Sequence, residues 1–285
     1  MDSRWGADLE VVRTIPPSEG SNIDLIRGAL RPGVTVLGLG GDGLEHDVFN
    51  GMREAIEAGE IGADEISMVP VPTGSGNDFS RSLYGGNILR GRGSGLRDLL
   101  EHGETTWLDG IKLDAGDRLD RFVHSYVGFG FTAQVAAAIN QPEFRERRAG
   151  LDVVSARTLD GIEVLKALWN REPFQYENGR GPKEAQEVLY ALAPRIGAGV
   201  IRLDKHTLDG ELVHLEVGSR AFLPRAVAKL SAGLVGGAKA EYVDEEQELV
   251  FHTPAAVQYD GEPDELPAGS VVSISHRRRV VQALR

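Results

Sequence analysis

Two short turns hold most of the side chains that could do chemistry. Gly40-Gly41-Asp42-Gly43 and Ser75-Gly76-Asn77-Asp78 set carboxylates, a hydroxyl and a carboxamide among glycines. Glycine has no Cβ, so its backbone can come close to a ligand and can take positive φ. Where such a turn opens a helix, the free N–H groups of the first turn suit a phosphate. Asp42 stands among those N–H groups. A carboxylate cannot anchor a phosphate there, so its chemistry would be to hold Mg2+, to act as a base, or to cap the helix. One such turn alone is equally well explained as a tight bend with Asp42 as N-cap. Two of them, each after a strand, favour a shared polyphosphate cleft. Neither is a GK[ST] loop or a G-x-G-x-x-G fingerprint, so a P-loop and a Rossmann dinucleotide site lack support. Further on, Asp209-Gly210 reads as a hairpin turn and Asp260-Gly261-Glu262 as a turn with solvated acids.

The elements that would position these turns follow from periodicity. Val34–Leu39 and Ile66–Val71 are apolar runs bounded by turn residues, as buried strands are. Leu44, Val48, Met52 and Ile56 recur every four residues and predict a helix after the first turn. Phe79–Leu83 opens a second helix. Upstream, residues 9–13 read as a short strand and Asn22–Leu30 as a helix. Serial strand–turn–helix units predict an α/β fold with a doubly wound parallel sheet, whose ligands bind at the C-terminal ends of the strands. Past Trp107 the pattern changes to short β-like runs: Phe122–Tyr126, Glu187–Leu192, Glu211–Val217, Glu248–Phe251, Ala256–Tyr259 and Val271–Ser275. One helix interrupts them, Asp152–Trp169, with Leu151, Val154, Ile162, Leu165 and Leu168 marking its face. Residues 177–187 read as an exposed loop. The expected organisation is an α/β domain over 1–106 and a β-rich, sandwich-like domain over 107–277, with residues 278–285 returning to the first.

Bulk composition narrows the function. Of 285 residues 36 are glycine, and fifteen of these fall between Gly33 and Gly95, so the excess is local. The absence of cysteine excludes disulfides, thiolate metal sites, Fe–S clusters and cysteine nucleophiles. A formal net charge of −12 argues against nucleic acid as a partner. Any phosphate must therefore be held locally, by backbone N–H groups, a metal or a few arginines. The first residues lack a basic segment followed by an apolar run, and no stretch offers 18 apolar residues, so a cytoplasmic protein is expected. Arg145, Arg147 and Arg148 read as a solvated helix end, and His276-Arg277-Arg278-Arg279 as exposed. Trp5, Trp107 and Trp169 are assigned to packing.

Taken together, GGDGLEHDVFNGM at 40–52 and PTGSGNDF at 72–79 resemble the diacylglycerol kinase catalytic-domain family, whose patterns are GGDGTxNEVxNGL and PxGTxNDFAR. That family includes bacterial lipid kinases, sphingosine kinases and ceramide kinases. Three more segments follow in family order: VGFGFTAQVAAAIN at 127–140, LDGEL at 208–212 and VQYDGEP at 257–263. The resemblance implies two domains with ATP in the cleft between them and transfer of its γ-phosphoryl to a lipid hydroxyl at a membrane surface. It implies nucleotide contacts at Thr14, Gly40, Gly41, Asp42, Gly43, Asp47, Gly74, Ser75, Asn77 and Asp78. It implies a Mg2+ loop with Asp209 as acidic ligand and backbone carbonyls from His206 and Glu211. Glu262 matches the general base of bacterial members, and Asp42 the base of sphingosine-type members.

Three departures stand out. The family's usual first strand and NPxxG loop are not found before Thr14. Leu44 and His46-Asp47 replace Thr and Asn-Glu, as in the sphingosine-type GDGLMHEV. Gln134 falls where sphingosine-directed members carry an acid, which argues against a sphingoid acceptor. The expectation is thus an ATP- and Mg2+-dependent lipid kinase acting on diacylglycerol or a related lipid, its oligomeric state open to include a homodimer. The alternatives are a non-catalytic relative with an incomplete nucleotide site, and a soluble-acceptor kinase of the NAD kinase type.

Overall fold

The computed structural model describes residues 10–16, 19–74, 76–85, 94–151, 153–169, 172–196, 201–202, 211–218 and 240–285. Residues 10–16 form no strand, against expectation. Val11 and Val12 are exposed, and the Ile15 N–H goes to the Asn22 side chain (2.9 Å) rather than to a neighbouring strand. Helix α1 (Asn22–Ala29) is capped by Ser21, whose side chain accepts the Asp24 N–H.

Strand β1 (Thr35–Gly40) leads through Gly41 into helix α2 (Asp42–Glu57). The helix begins two residues before the apolar stripe does. Val48 and Met52 of that stripe are fully buried, and Leu44 and Ile56 pack against the same core. Strand β2 (Ser67–Pro72) pairs parallel with β1 along its whole length, Thr35 with Ser67 through Gly40 with Pro72. Both strands therefore end at the same edge, and helix α3 (Asp78–Tyr84) starts there. Helix α4 (Ser94–His102) completes this half.

The rest is mainly antiparallel. Strands β3 (Thr105–Asp114) and β4 (Asp120–Val123) form a hairpin. Strand β5 (Tyr126–Gly130) runs directly into helix α5 (Phe131–Ile139), a helix with no counterpart in the expected elements. Gly130 makes the junction at φ +103, where a Cβ would strike the Gln186 carbonyl. Helices α6 (Pro142–Ala149) and α7 (Val153–Trp169) follow. The apolar stripe expected on α7 does not all face the core, since Leu151 and Ile162 are exposed, and Trp169, assigned to packing, is instead 82% exposed.

Strands β6 (Phe174–Glu177) and β7 (Pro182–Ala191) form a hairpin, so the loop expected over 177–187 is only a turn at 178–181. Strands β8 (Arg195–Ile196) and β9 (Ile201–Arg202) make a separate small ribbon. Strand β10 (Leu212–Gly218) pairs with β7 and with β11 (Ala240–Val243). Strands β12 (Gln247–Phe251), β13 (Ala255–Tyr259), β14 (Glu262–Leu266) and β15 (Val271–Leu284) complete the chain.

Among the described residues thirteen strands join in one sheet, with the central path β1-β2-β15-β12-β6-β7-β5-β13-β14. β15 connects its two halves. Its start pairs with β12, residues 273–277 and 281–284 pair with β3 across a register shift, and Ala283 aligns parallel with Met68 of β2. Two main cores flank this arrangement. One gathers Phe49, Met52, Met68, Phe79, Val281 and Ala283; the other gathers Phe129, Phe174, Tyr190, Phe251 and Ile274.

Candidate functional site

The two glycine turns touch. Thr73 and Gly74 both donate their N–H to the Gly40 carbonyl (3.0 Å each). A Cβ placed on Gly74 would lie 2.4 Å from the Gly41 Cα, and one on Gly41 would meet the Gly74 Cα at 3.2 Å. Only glycine allows both backbones to pass here. Asn77 closes the second turn in a left-handed conformation, φ +56. Its Oδ1 accepts the Gly74 N–H (2.9 Å) and its Nδ2 donates to the Gly74 carbonyl (2.5 Å). Asn77 thus shapes the turn. Ser75, the hydroxyl implied here, lies outside the described residues.

Asp42 opens α2 but does not cap it. Its Oδ1 accepts the Phe79 N–H at the start of α3 (3.2 Å), which ties the two turns together by a third contact. Burial, then the charge of Asp78, pushes its carboxyl up to about 7. Asp47 turns away from the glycines: its carboxylate accepts from Asn22 Nδ2 (3.3 Å), the residue that also receives the Ile15 N–H. Thr14 is exposed beside Ile15.

Glu262, from the other end of the sequence, arrives at the same place. It starts β14, is exposed, and puts Oε1 2.6 Å from where a Cβ on Gly43 would stand. The neighbouring Asp260 behaves differently from the solvated acid expected. It is 1% exposed and bonded to His46 and to the β4–β5 connection. His46 is likewise buried.

The backbone suits a phosphate group. The α2 N-terminus has no side-chain cap, and both turns are stripped of Cβ atoms where they meet. A metal finds less here. Of the implied metal loop, His206 and Asp209 lie outside the described residues, and Glu211 is exposed beside β10. Among the described residues no three acidic or histidine side chains converge to hold a metal ion.

Two buried acids had no role in the sequence reading. Glu45, on α2, is 0% exposed and neither carboxyl oxygen has a hydrogen-bond partner among the described residues. Burial, then the charges of Asp42, Asp260 and Asp78, raises it to about 9. Glu187 on β7 holds the start of α5, accepting from the Thr132 N–H (2.8 Å) and hydroxyl (2.5 Å). Its burial raises it to about 8. A polar residue at a helix-period or strand-period core position was the available signal for both. Gln134, on α5, lines a cleft of about 730 Å3 with Ala137, Asn140, Phe174, Ala256 and Pro263.

The arginines are mostly engaged. Arg148 pairs with Asp160, Arg145 bonds Asn140, and Arg147 lies over Phe144. His276, expected exposed, bonds Asp109 (2.9 Å), while Arg279 stacks on Trp107 at 4.6 Å.

This is an α/β protein whose parallel strands present two glycine turns to an acid carried by a β-rich half. Residues 4–106 match the family model of the diacylglycerol kinase catalytic domain. A crystal structure of a diacylglycerol kinase from Bacillus anthracis str. Sterne aligns with a TM-score of 0.60 at 14% identity, covering 97% of this chain and 85% of that one. A second structure from the same organism aligns at 0.62 and 16% identity, covering 88% and 77%. At such identities the likeness is one of fold. A search of curated proteins gave no match. No helix among the described residues is long and apolar enough to cross a membrane.

Proposed function

We propose that the protein is an ATP-dependent lipid kinase that phosphorylates the hydroxyl of diacylglycerol or a related lipid. One observation carries this reading: Glu262 reaches Gly43 beside two glycine turns that touch each other. Phosphoryl transfer asks mainly for positioning and for stabilisation of charge. The N–H groups at the uncapped start of α2, in the Gly40–Gly43 turn, would hold the phosphates; in the Gly74–Asn77 turn the Gly74 N–H is spent on Gly40 and Asn77 and fixes the turn beside them. The resemblance implies further nucleotide contacts at Thr14, Asp78 and Asp47, the last of which is turned toward Asn22. Glu262, exposed at the mouth of the loops, would accept the proton of the lipid hydroxyl. Asp42 is held by the Phe79 N–H and is better suited to fixing the two turns. Mg2+, held by Asp209 with His206 and Glu211, would supply charge neutralisation.

Residues 1–106, with about 278–285, would form the nucleotide domain and 107–277 the lipid domain. The shared core of Val281 and Ala283 with Phe49 and Met68 favours that division. The cleft beside Gln134 is the favoured acceptor site, because Pro263, next to Glu262, forms part of its wall. The enzyme would act in the cytoplasm, visiting the membrane transiently.

The test is direct. Purified protein with Mg2+-ATP should transfer labelled phosphate to diacylglycerol-containing vesicles, and ATP should raise its Tm. Failure of both removes the kinase reading. ATP binding without turnover points to a non-catalytic relative, and labelling of NAD to a soluble-acceptor kinase.

A further inference from the structure

Two buried histidines join the first glycine-turn helix to the turn that carries Glu262, and the chemistry above gives them no role. Asp260 between them stands at φ +50, a left-handed conformation uncommon outside glycine. Its carboxylate explains why the turn holds. Oδ1 accepts the backbone N–H groups of Ser125 (2.9 Å) and Tyr126 (3.3 Å). Oδ2 accepts the His124 N–H (3.0 Å) and lies 2.9 Å from His46 Nδ1. Burial alone would raise this carboxyl, but His124, His46 and the backbone donor outweigh it and keep it below its ordinary range.

His46 is fixed in turn. Asn50 is oriented by both backbone groups of Phe122, donating to its carbonyl (2.8 Å) and accepting its N–H (3.3 Å). Its amide nitrogen also donates to the His46 carbonyl (3.0 Å) and lies 3.2 Å from His46 Nε2, while the Asp260 carboxylate at 2.9 Å makes Nδ1 the donor. His124 is fully buried. Its ring lies 4.2 Å from that of Phe79, beside the Asp42 backbone, with Nδ1 2.7 Å from Ser125 Oγ. Both rings therefore sit where α2, α3 and the β4–β5 connection meet.

We infer that His46 and His124 are positioning residues: acting through Asp260, they set the Glu262 carboxylate against Gly43. This rests on the kinase reading for its purpose. One residue, Gly261 at φ +90, separates Asp260 from Glu262, so the two move together. Gly261 is itself tied to β13 and α5, its N–H to Gln258 Oε1 (2.9 Å) and its carbonyl to Asn140 Nδ2 (2.8 Å). Those ties fix the turn within the β-rich half. His46 is what binds it to α2, where Gly43 lies. Misplacement by about 1 Å can cost on the order of 100-fold in rate.

The chain has no cysteine, so a Gly43→Cys, Glu262→Cys protein carries only two thiols. Their bridging by a short thiol cross-linker reads the approach of the two sites without any activity. Bridging should be rapid, and about tenfold slower when His46→Ala is added. In the otherwise native protein, His46→Ala should lower kcat about 10- to 100-fold with KM for ATP within about twofold. His46→Asn, the residue of the family pattern, should recover most of the loss. Should His46→Ala fail to fold, His46→Met, of similar volume without the donor, takes its place. Unchanged bridging overturns the inference, whether or not the protein proves to be a kinase, and so does a loss confined to KM. A wild type without activity but with His46-dependent bridging would instead remove the kinase reading alone.

Discussion

Glu262 and Asp42 were equal candidates for the base, and their surroundings separate them. Glu262 is exposed and Asp42 is bonded to the start of α3. Glu262→Gln should therefore lower kcat about 10²- to 10⁴-fold while the ATP-induced rise in Tm stays nearly intact. A near-normal rate would show that Glu262 is not the base. Gly43→Ala should mimic it, since the added methyl takes the place of the carboxylate. Glu45 gives a prediction about stability. Its carboxyl keeps its proton up to about pH 9 when folded, against an ordinary value of 4.5. The folded state thus binds more protons between those limits, and stability falls as pH rises from 4.5 to 9. Glu45→Gln removes that slope. The variant should match the native protein near pH 4.5 and gain about 1–3 kcal/mol by neutral pH or above. Urea melts at pH 5, 7 and 9 would show it, and a gain independent of pH would contradict this account.

At the scale of elements, helices and strands with local patterning were legible in advance. The four-residue repeat of Leu44, Val48, Met52 and Ile56 is α2, and the two glycine-bounded apolar runs are β1 and β2. Residues 9–13 have the right composition for a strand, but pairing needs a partner edge, and residues 10–13 find none. Helix α5 was hidden because Gly130 is the bend that ends β5, and because Glu187 from another strand supplies its N-terminal acceptor. The contact between turns is an element-level property as well. Gly74→Ala drives a methyl into the Gly41 Cα and should cost about 1–3 kcal/mol, with loss of the ATP-dependent Tm shift. A variant that keeps both would mean the turns can separate freely.

The whole molecule depends on its last strand. Val281 and Ala283 are fully buried in the core of the first half, although they end the chain. Removing residues 280–285 opens that core and leaves β2 without its neighbour on that side. The truncated protein should lose its cooperative thermal transition; an unchanged calorimetric profile would show that β15 is dispensable. The net charge of −12 belongs to this scale too. With 43 acidic side chains against 31 basic ones, phosphate binding on the proposed function would fall to backbone N–H groups such as those at the uncapped start of α2.

By itself, the sequence determined the α/β class, the two glycine turns and the order of the family motifs. Each rests on short-range pattern: periodicity, turn chemistry and the absence of Cβ atoms. The division of labour among the acids needed the tertiary structure. Asp260 and Glu262 are two residues apart and look alike in sequence. One is buried against His46, 214 positions away, and the other is left exposed at Gly43. No local signal separates them, because burial and hydrogen-bond partners are decided by which distant segments the fold brings to the same edge.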